Sequence, residues 1–229
     1  MTKTKIKVDI VSDVVCPWCY IGKRRLEKAL DNLKDEYEFE LHYKPFELNP
    51  NVPEAGYAQK EYLTKKFGSE SGYQELTDNV TRVAAEEGLK FDYSKQSTSP
   101  NTLNLHRVIW LAGKENKQLQ TVEAFFKAYF EEGTDLSKKE NILKVAAKAG
   151  LDEKRIKALL ESEEGKEEVI AEQTRNRQLG VSGVPFYIIN DKYGVSGAQP
   201  TSLFMQAFKD IGKEISTDGE ACDVDGGNC

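Results

Sequence analysis

The stretch KVDIVSDVVCPWCY at residues 7–20 decides the fold of this 229-residue chain. Residues 7–11 alternate apolar and polar side chains, which is typical of a short β-strand. After Cys19 the apolar residues follow helical spacing, and charged residues lie between them. These apolar residues are Ile21, Leu26, Leu30 and Leu33. The pattern therefore predicts that Cys16 and Cys19 lie at a strand-to-helix junction.

The order Cys-Pro-Trp-Cys suits a redox turn. Pro17 fits the first helical turn, where a missing N–H costs nothing, and it places the Cys16 sulfur beside the unpaired N–H groups at the positive end of the helix. A thiolate is stabilised there, so the motif predicts Cys16 as the nucleophile and Cys19, one turn further on, as a shielded partner within disulfide reach. The alternatives are a structural disulfide or half of a zinc site.

Composition excludes several kinds of partner. The chain has 32 Lys and Arg against 38 Asp and Glu, a net charge of −6, and the charges are mixed along its length. No basic surface for nucleic acid or anionic lipid is therefore expected. The basic residues before the first strand are not followed by an apolar run long enough for a signal peptide or a membrane span. We expect a cytoplasmic protein that contacts neither nucleic acid nor membrane.

The chain alternates sheet and helix patterns around a long helical block. Residues 37–44 read as a second strand that ends at Pro45, and residues 57–164 read as helices and little else. A long helix is expected at about residues 162–179, followed by a proline, an apolar strand and a return strand at 193–196. Pro200 opens a final amphipathic helix.

Several motifs together resemble a known family. The Cys-Pro-Trp-Cys turn, the helical insertion and the Gly-Val-Pro-Phe at residues 183–186 resemble thioredoxin-fold proteins of the DsbA family. The resemblance is strongest to the FrnE-like branch, which lies beside the 2-hydroxychromene-2-carboxylate isomerases and kappa-class glutathione transferases. Further matches are Ser12-Asp13, Asn101-Thr102, His106-Arg107 and the Ser-Gly-Ala-Gln-Pro at residues 196–200.

The resemblance implies an α/β fold, a thioredoxin fold interrupted by an all-helical insertion domain. Residues 1–56 and 165–215 would form the thioredoxin-like domain, and residues 57–164 the insertion. Residues 216–229 would be a flexible tail with a second cysteine pair, Cys222 and Cys229. That pair lies outside the shared core of the family, so three roles stay open: relay of oxidation to the first pair, a terminal disulfide, or none.

The resemblance also assigns catalytic roles. Cys16 would attack and Cys19 would resolve the mixed disulfide. The bond between Val184 and Pro185 would be cis and face the cysteines, which exposes the Val184 backbone to an extended substrate. The alternative is a trans proline at the start of an edge strand. Asp13 would either hold a proton or a water near the cysteine pair, or cap the helix.

The remaining candidates concern substrate binding. Trp18 is expected to pack against the groove and offer apolar surface to a substrate. Asn101, Thr102 and His106 match a motif that faces the active-site groove in relatives, and the spacing of Thr102 and His106 places both on one helical face. The alternative for His106 is a histidine packed between the domains.

These expectations define a function. The chain would be a cytoplasmic dithiol–disulfide oxidoreductase acting on thiol- or disulfide-containing proteins or on small thiols, as a monomer or a homodimer. It would need no organic cofactor and no metal, with glutathione as a possible co-substrate. In the isomerase and transferase relatives a serine commonly replaces Cys16, so two cysteines favour redox chemistry. The alternatives are a thiol-dependent isomerase or transferase of a small hydrophobic molecule, and a redox sensor or holdase that uses the tail cysteines.

Overall fold

The computed structural model describes residues 3–221, and side chains as far as residue 215. The elements are β1 (Thr4–Ser12), α1 (Pro17–Leu33), β2 (Tyr37–Pro45), β3 (Tyr57–Ala58), α2 (Gln59–Phe67), α3 (Glu70–Glu86), β4 (Thr98–Ser99), α4 (Leu103–Lys114), α5 (Gln118–Phe130), α6 (Lys139–Lys148), α7 (Glu153–Leu160), α8 (Lys166–Gln178), β5 (Phe186–Ile189), β6 (Tyr193–Ser196) and α9 (Thr201–Ala221). The predicted α/β class and the order of elements are confirmed.

The main sheet has four strands in the order β2-β1-β5-β6. β1 runs parallel to β2, with Val8 opposite Leu41, and antiparallel to β5, with Val8 opposite Ile189. β1 is central and buried on both faces in its second half, because α1 and α9 cover the sheet on one side while the other side meets the helical block. The end of this central strand delivers the cysteine turn.

Two details of the predicted elements differ from the structure, one in the helical block and one directly after it. Residues 57–164 contain, besides helices, a short antiparallel pair in which Tyr57 lies opposite Ser99 and Ala58 opposite Thr98. Each strand has two residues, which is too short to show an alternating pattern. The following long helix begins at Lys166, not near residue 162, because Gly165 adopts a left-handed conformation with φ of 75° close beneath the Trp110 ring.

The sheet and the helical block share one apolar core. Tyr20 of α1 stacks on Phe126 of α5, with ring centroids 4.9 Å apart, and Phe91 stacks on Phe130 at 4.6 Å. The Tyr20 hydroxyl also donates a hydrogen bond to Glu123 at 2.9 Å. These contacts fix α1, and therefore the cysteine turn, against the helices that form the opposite wall of the site.

Arg107 joins α4 to the end of α7 and to the segment between α7 and α8. Its guanidinium donates hydrogen bonds to the carbonyl oxygens of Leu159, Ser162 and Glu164, and the residue is only 4% exposed. We expect Arg107→Ala to lower the free energy of unfolding by about 2–4 kcal/mol, because it leaves carbonyls without a charged donor. Urea unfolding measures this loss. The exposed Arg82→Ala on α3 is the control, with an expected change under about 0.5 kcal/mol.

Candidate active site

The cysteine turn lies where β1 ends and α1 begins. Cys16 is the N-cap residue of α1, with extended backbone angles (φ −92°, ψ 112°), and Pro17 follows it in the first turn. The Cys16 N–H donates to the Asp13 carbonyl at 3.0 Å. Both cysteines are free and buried, Cys16 with 4% and Cys19 with 3% of their surface exposed. This is the arrangement that the sequence predicts.

Pro185 faces this turn from the loop before β5. The Val184–Pro185 peptide bond is cis, as the resemblance implies. The Cys16 thiol donates to the Val184 carbonyl oxygen, with 3.5 Å between sulfur and oxygen. Gly22 of α1 permits this approach, because a Cβ at that position would lie 3.2 Å from the Pro185 ring and would overlap the Tyr187 hydroxyl.

A largely apolar cleft of about 320 Å³ opens beside Cys16. Five of the predicted site residues line it together. They are Asp13, Cys16, Trp18, Thr102 and Val184. The opposite wall comes from the helical block and the loop after β2. Its apolar and aromatic residues include Leu48, Val52, Tyr62, Leu63, Phe67, Leu76, Tyr93, Tyr129 and Phe130. The cleft therefore presents the nucleophile to an apolar, partly aromatic surface.

Asp13 does not cap the helix. Its Oδ2 accepts a hydrogen bond from the Leu48 N–H at 2.8 Å, and α1 has no side-chain cap. Its Oδ1 lies 3.5 Å from the His106 Nε2, and both residues are almost fully buried. Of the two interpretations of Asp13, the structure therefore excludes the helix cap and leaves a buried carboxyl group beside the cysteine turn.

Two other predicted binding residues lie outside the cleft wall. The Asn101 side chain donates to the Val52 carbonyl and accepts from the Leu103 N–H, so it holds the start of α4. His106 lines a separate cavity behind the turn. The expectation that Thr102 and His106 face one ligand is therefore wrong, because Thr102 precedes the helix and faces the cleft while His106 points behind it.

The two thiols have different surroundings. Burial is the main cause that raises the pKa of Cys19 well above its ordinary value, and the neighbouring Cys16 raises it further. Hydrogen bonds from the Ser12 side chain and the Asp13 backbone oppose this increase. Cys19 therefore stays protonated near neutral pH, while Cys16 lies at the helix N-terminus with access to the cleft. Such an asymmetry suits one attacking and one resolving cysteine.

Sequence reasoning missed several residues of the site. Tyr129 and Phe130 read as core residues at helical spacing, yet they also form part of the cleft wall. Ser12 belongs to the Ser12-Asp13 motif, but no role was expected for it, and it contacts Cys19. A helical pattern distinguishes buried from exposed positions, but it does not distinguish a residue of the core from a residue of a cleft wall. Of the missed residues, only Ser12 could have been found from the sequence, because it belongs to the Ser12-Asp13 motif.

Cys222 and Cys229 lie outside the described residues. In the part of the chain that the structure describes, no group of three or more His, Cys, Asp or Glu side chains is arranged to hold a metal ion. Within the same residues no helix is long and apolar enough to cross a membrane.

The two cysteines lie in a turn at the N-terminus of a helix, opposite a cis-proline and beside an inserted helical block. These features define a thioredoxin-fold protein with a two-cysteine centre. More narrowly, the chain belongs to the DsbA-like thioredoxin domain family, whose model matches residues 7–209. Membership of this family indicates, in general terms, a thiol–disulfide redox protein with thiol or disulfide substrates. The expected family and fold are thereby confirmed.

Individual proteins are similar to this chain in sequence, in fold or in both. A probable DsbA oxidoreductase from Streptomyces coelicolor is 35% identical, with a TM-score of 0.83 and 88% of each chain covered. The uncharacterised protein YwbO of Bacillus subtilis is 25% identical over 91% of this chain and 98% of its own length. The cytosolic disulfide reductase DsbM from Pseudomonas aeruginosa, solved with GSH, is 13% identical with a TM-score of 0.62, and the match covers 93% of this chain and 99% of DsbM.

Proposed function

We propose that this protein is a cytoplasmic thiol–disulfide oxidoreductase that exchanges disulfides through Cys16 and Cys19. The observation that carries the proposal is the position of Cys16. It lies at the N-terminus of α1, within 3.5 Å of the Val184 carbonyl, and on the wall of an apolar cleft. The second cysteine is held behind it and does not line the cleft. Substrates are proteins or small thiols that carry a disulfide or a thiol.

The exchange follows from this geometry. The Cys16 thiolate attacks one sulfur of a substrate disulfide, a Cys16–substrate bond forms, and the other substrate sulfur leaves with the electron pair. Cys19 then loses its proton and attacks the Cys16 sulfur, which releases the second substrate sulfur and closes the Cys16–Cys19 disulfide. The substrate gains two electrons and the dithiol loses two. The same steps in reverse oxidise a substrate dithiol.

Substrate positioning is assigned to the residues around Cys16. The Val184 backbone is available to pair with an extended segment of a substrate, and Trp18 and Thr102 border the space that such a segment would occupy. The Pro185 ring offers no donor beside the sulfur. We assign Asn101 and His106 no direct contact with substrate, since neither lines the cleft.

Compartment and co-substrate are part of the proposal. The composition has no feature of a secreted disulfide scaffold, and a protein of similar fold is described as a cytosolic reductase solved with GSH. Both support a reducing compartment with glutathione as the small thiol that returns the cysteine pair to its working state. No organic cofactor is required, because the two cysteines carry the electrons.

A redox titration tests the proposal. The pair is equilibrated with mixtures of reduced and oxidised glutathione and followed by Trp18 fluorescence, in a Cys222→Ser/Cys229→Ser background with Trp110→Phe. We expect a reversible two-electron transition, whose midpoint gives the direction of electron flow in the cytoplasm. A pair that does not titrate, or that stays reduced with a metal bound, contradicts the oxidoreductase function.

A further inference from the structure

A second cavity lies behind the cysteine turn. It measures about 220 Å³. Successive residues of the turn alternate between the two spaces. Ser12 and Val14 line this cavity, and Asp13 and Val15 line the cleft. The rest of the cavity wall comes from β2, α4, α5 and α8. At its rim Glu168 is exposed and the His42 side chain is 40% exposed. The cavity therefore leads from the surface to the back of the turn.

Cys19 lines neither the cleft nor this cavity, but it lies beside Ser12, which lines the cavity. It is 3% exposed and absent from the cleft wall. Its thiol lies in hydrogen-bonding contact with Cys16, with the Ser12 side chain and with the Asp13 backbone. Ser12 is itself buried and lines the second cavity. A hydroxyl group both donates and accepts a hydrogen bond, so Ser12 is suited to pass a proton between the thiol and the cavity.

Two buried polar atoms without a hydrogen-bond partner lie between the cleft and the cavity. They are Asp13 Oδ1 and His106 Nε2, which lie 3.5 Å apart. A buried polar atom without a partner destabilises the fold, so a pair of them beside an active centre calls for an explanation. His106 lines the cavity. A neutral imidazole can take up a proton there, and the carboxylate of Asp13 would stabilise the imidazolium that forms.

We propose that the second cavity is the proton port of the cysteine pair, with Ser12 as the relay and His106, supported by Asp13, as the base. The inference rests on the proposed disulfide exchange. When the Cys19 sulfur attacks Cys16, the Cys16–substrate bond breaks and its electron pair leaves on the substrate sulfur. The Cys19 proton passes to the Ser12 oxygen, and the hydroxyl proton of Ser12 passes into the cavity, where His106 takes it up. Opening of the disulfide reverses the transfer.

The cleft is not a route for the Cys19 proton while Cys19 attacks the mixed disulfide. A mixed disulfide on Cys16 places the substrate in the cleft, and the apolar wall that includes Trp18, Val52 and Phe130 then excludes water from it. Cys19 does not line the cleft, so in this proposal its proton leaves through Ser12 towards the cavity. The cavity is open at that stage because no substrate group needs to enter it.

The four tyrosines around the cysteine pair do not offer an alternative acceptor. Tyr43 of β2 and Tyr187 of β5 both face the cysteines, and burial raises the pKa of each well above its ordinary value. Burial likewise raises the pKa of Tyr93 and Tyr129, which face Cys16 and Asp13 from the helical block. All four stay neutral phenols. The charge of Arg25 on α1 lowers the pKa of Tyr187, against the larger effect of burial. The charged groups near the cavity mouth are Lys44, Glu168 and Glu172.

A two-step reaction with 5,5′-dithiobis(2-nitrobenzoate) tests the port. Attack by Cys16 releases the first nitrothiobenzoate, and resolution by Cys19 releases the second, so one absorbance trace gives both rates. The full chain with Cys222→Ser/Cys229→Ser is compared with Ser12→Ala, Ser12→Thr and His106→Gln in the same background, from pH 5.5 to pH 9. Thr77→Ala is the matched control, a buried hydroxyl that lines neither space.

We expect Ser12→Ala to slow the second release at least about tenfold and to move its pH profile upward, with the first release changed less than about twofold. Ser12→Thr keeps the hydroxyl and should restore the second rate, and His106→Gln should slow the second step and flatten its pH profile. The proposed proton port is contradicted if Ser12→Ala leaves the rate of the second release unchanged, or if it lowers the rates of both releases equally. A parent protein that releases only one nitrothiobenzoate would instead contradict the proposed function itself.

Discussion

Cys16→Ser is expected to remove disulfide exchange, with a loss of about 10³-fold or more in kcat/KM, because a serine hydroxyl is not ionised at neutral pH and cannot replace the thiolate. Cys16 is the cysteine on the cleft wall, whereas Cys19 lies behind it. Turnover is measured as reduction of a peptide disulfide by glutathione, with the Cys222→Ser/Cys229→Ser protein as the parent. Circular dichroism of the variant confirms that the fold is retained, since serine is close to cysteine in size.

Cys19→Ser is the matched variant, and its expected behaviour is different. Cys16 can still attack, but the mixed disulfide cannot be resolved within the protein, so it should accumulate and be visible by mass spectrometry under non-reducing conditions. The Cys16→Ser protein should form no such adduct. Equal adduct formation by both variants would mean that Cys16 is not the attacking sulfur. Retained turnover in Cys16→Ser would favour the thiol-dependent isomerase or transferase.

Much of the fold was predictable because the signals are local. The strand at residues 7–11 and the helix after Cys19 follow directly from apolar spacing, and Pro17 fixes the register of the turn. The cis Val184–Pro185 bond is different. Most X-Pro bonds are trans, so only the family resemblance pointed to the cis form that the structure has. The pair β3–β4 was missed because two-residue strands carry no periodicity.

The candidate site was predictable only in part, since contacts between distant segments leave no local signal. The turn places Asp13 and Cys16 near each other by sequence alone. The hydrogen bond from Leu48 to Asp13 and the position of His106 behind the turn depend on how β2 and α4 pack. Similarly, the i, i+4 spacing suggested a shared ligand for Thr102 and His106, but Thr102 lines the cleft while His106 lines the cavity behind the turn, and one-dimensional spacing does not show how the neighbouring segments divide that space.

Phe126→Ala is expected to have the largest effect on stability. The Phe126 ring is fully buried, stacks on Tyr20 at 4.9 Å with an interplanar angle of 8°, and also contacts Phe130. Truncation of such a side chain costs about 3–5 kcal/mol through lost burial and the remaining cavity. Equilibrium unfolding in urea measures the difference. Leu119→Ala on the same helix, at a residue that is 40% exposed, should change the free energy of unfolding by less than about 0.5 kcal/mol.

The same variant tests whether the sheet and the helical block unfold as one unit. Because their buried residues form one continuous cluster, the loss at Phe126 should destabilise both parts equally. Trp18 reports on the cysteine turn and Trp110 on α4, so Trp18→Phe and Trp110→Phe allow each part to be followed separately. Both probes should show coincident transitions, shifted together by Phe126→Ala. If only the Trp110 transition moves, the helical block unfolds independently, and the wall of the active-site cleft can open without loss of the cysteine turn.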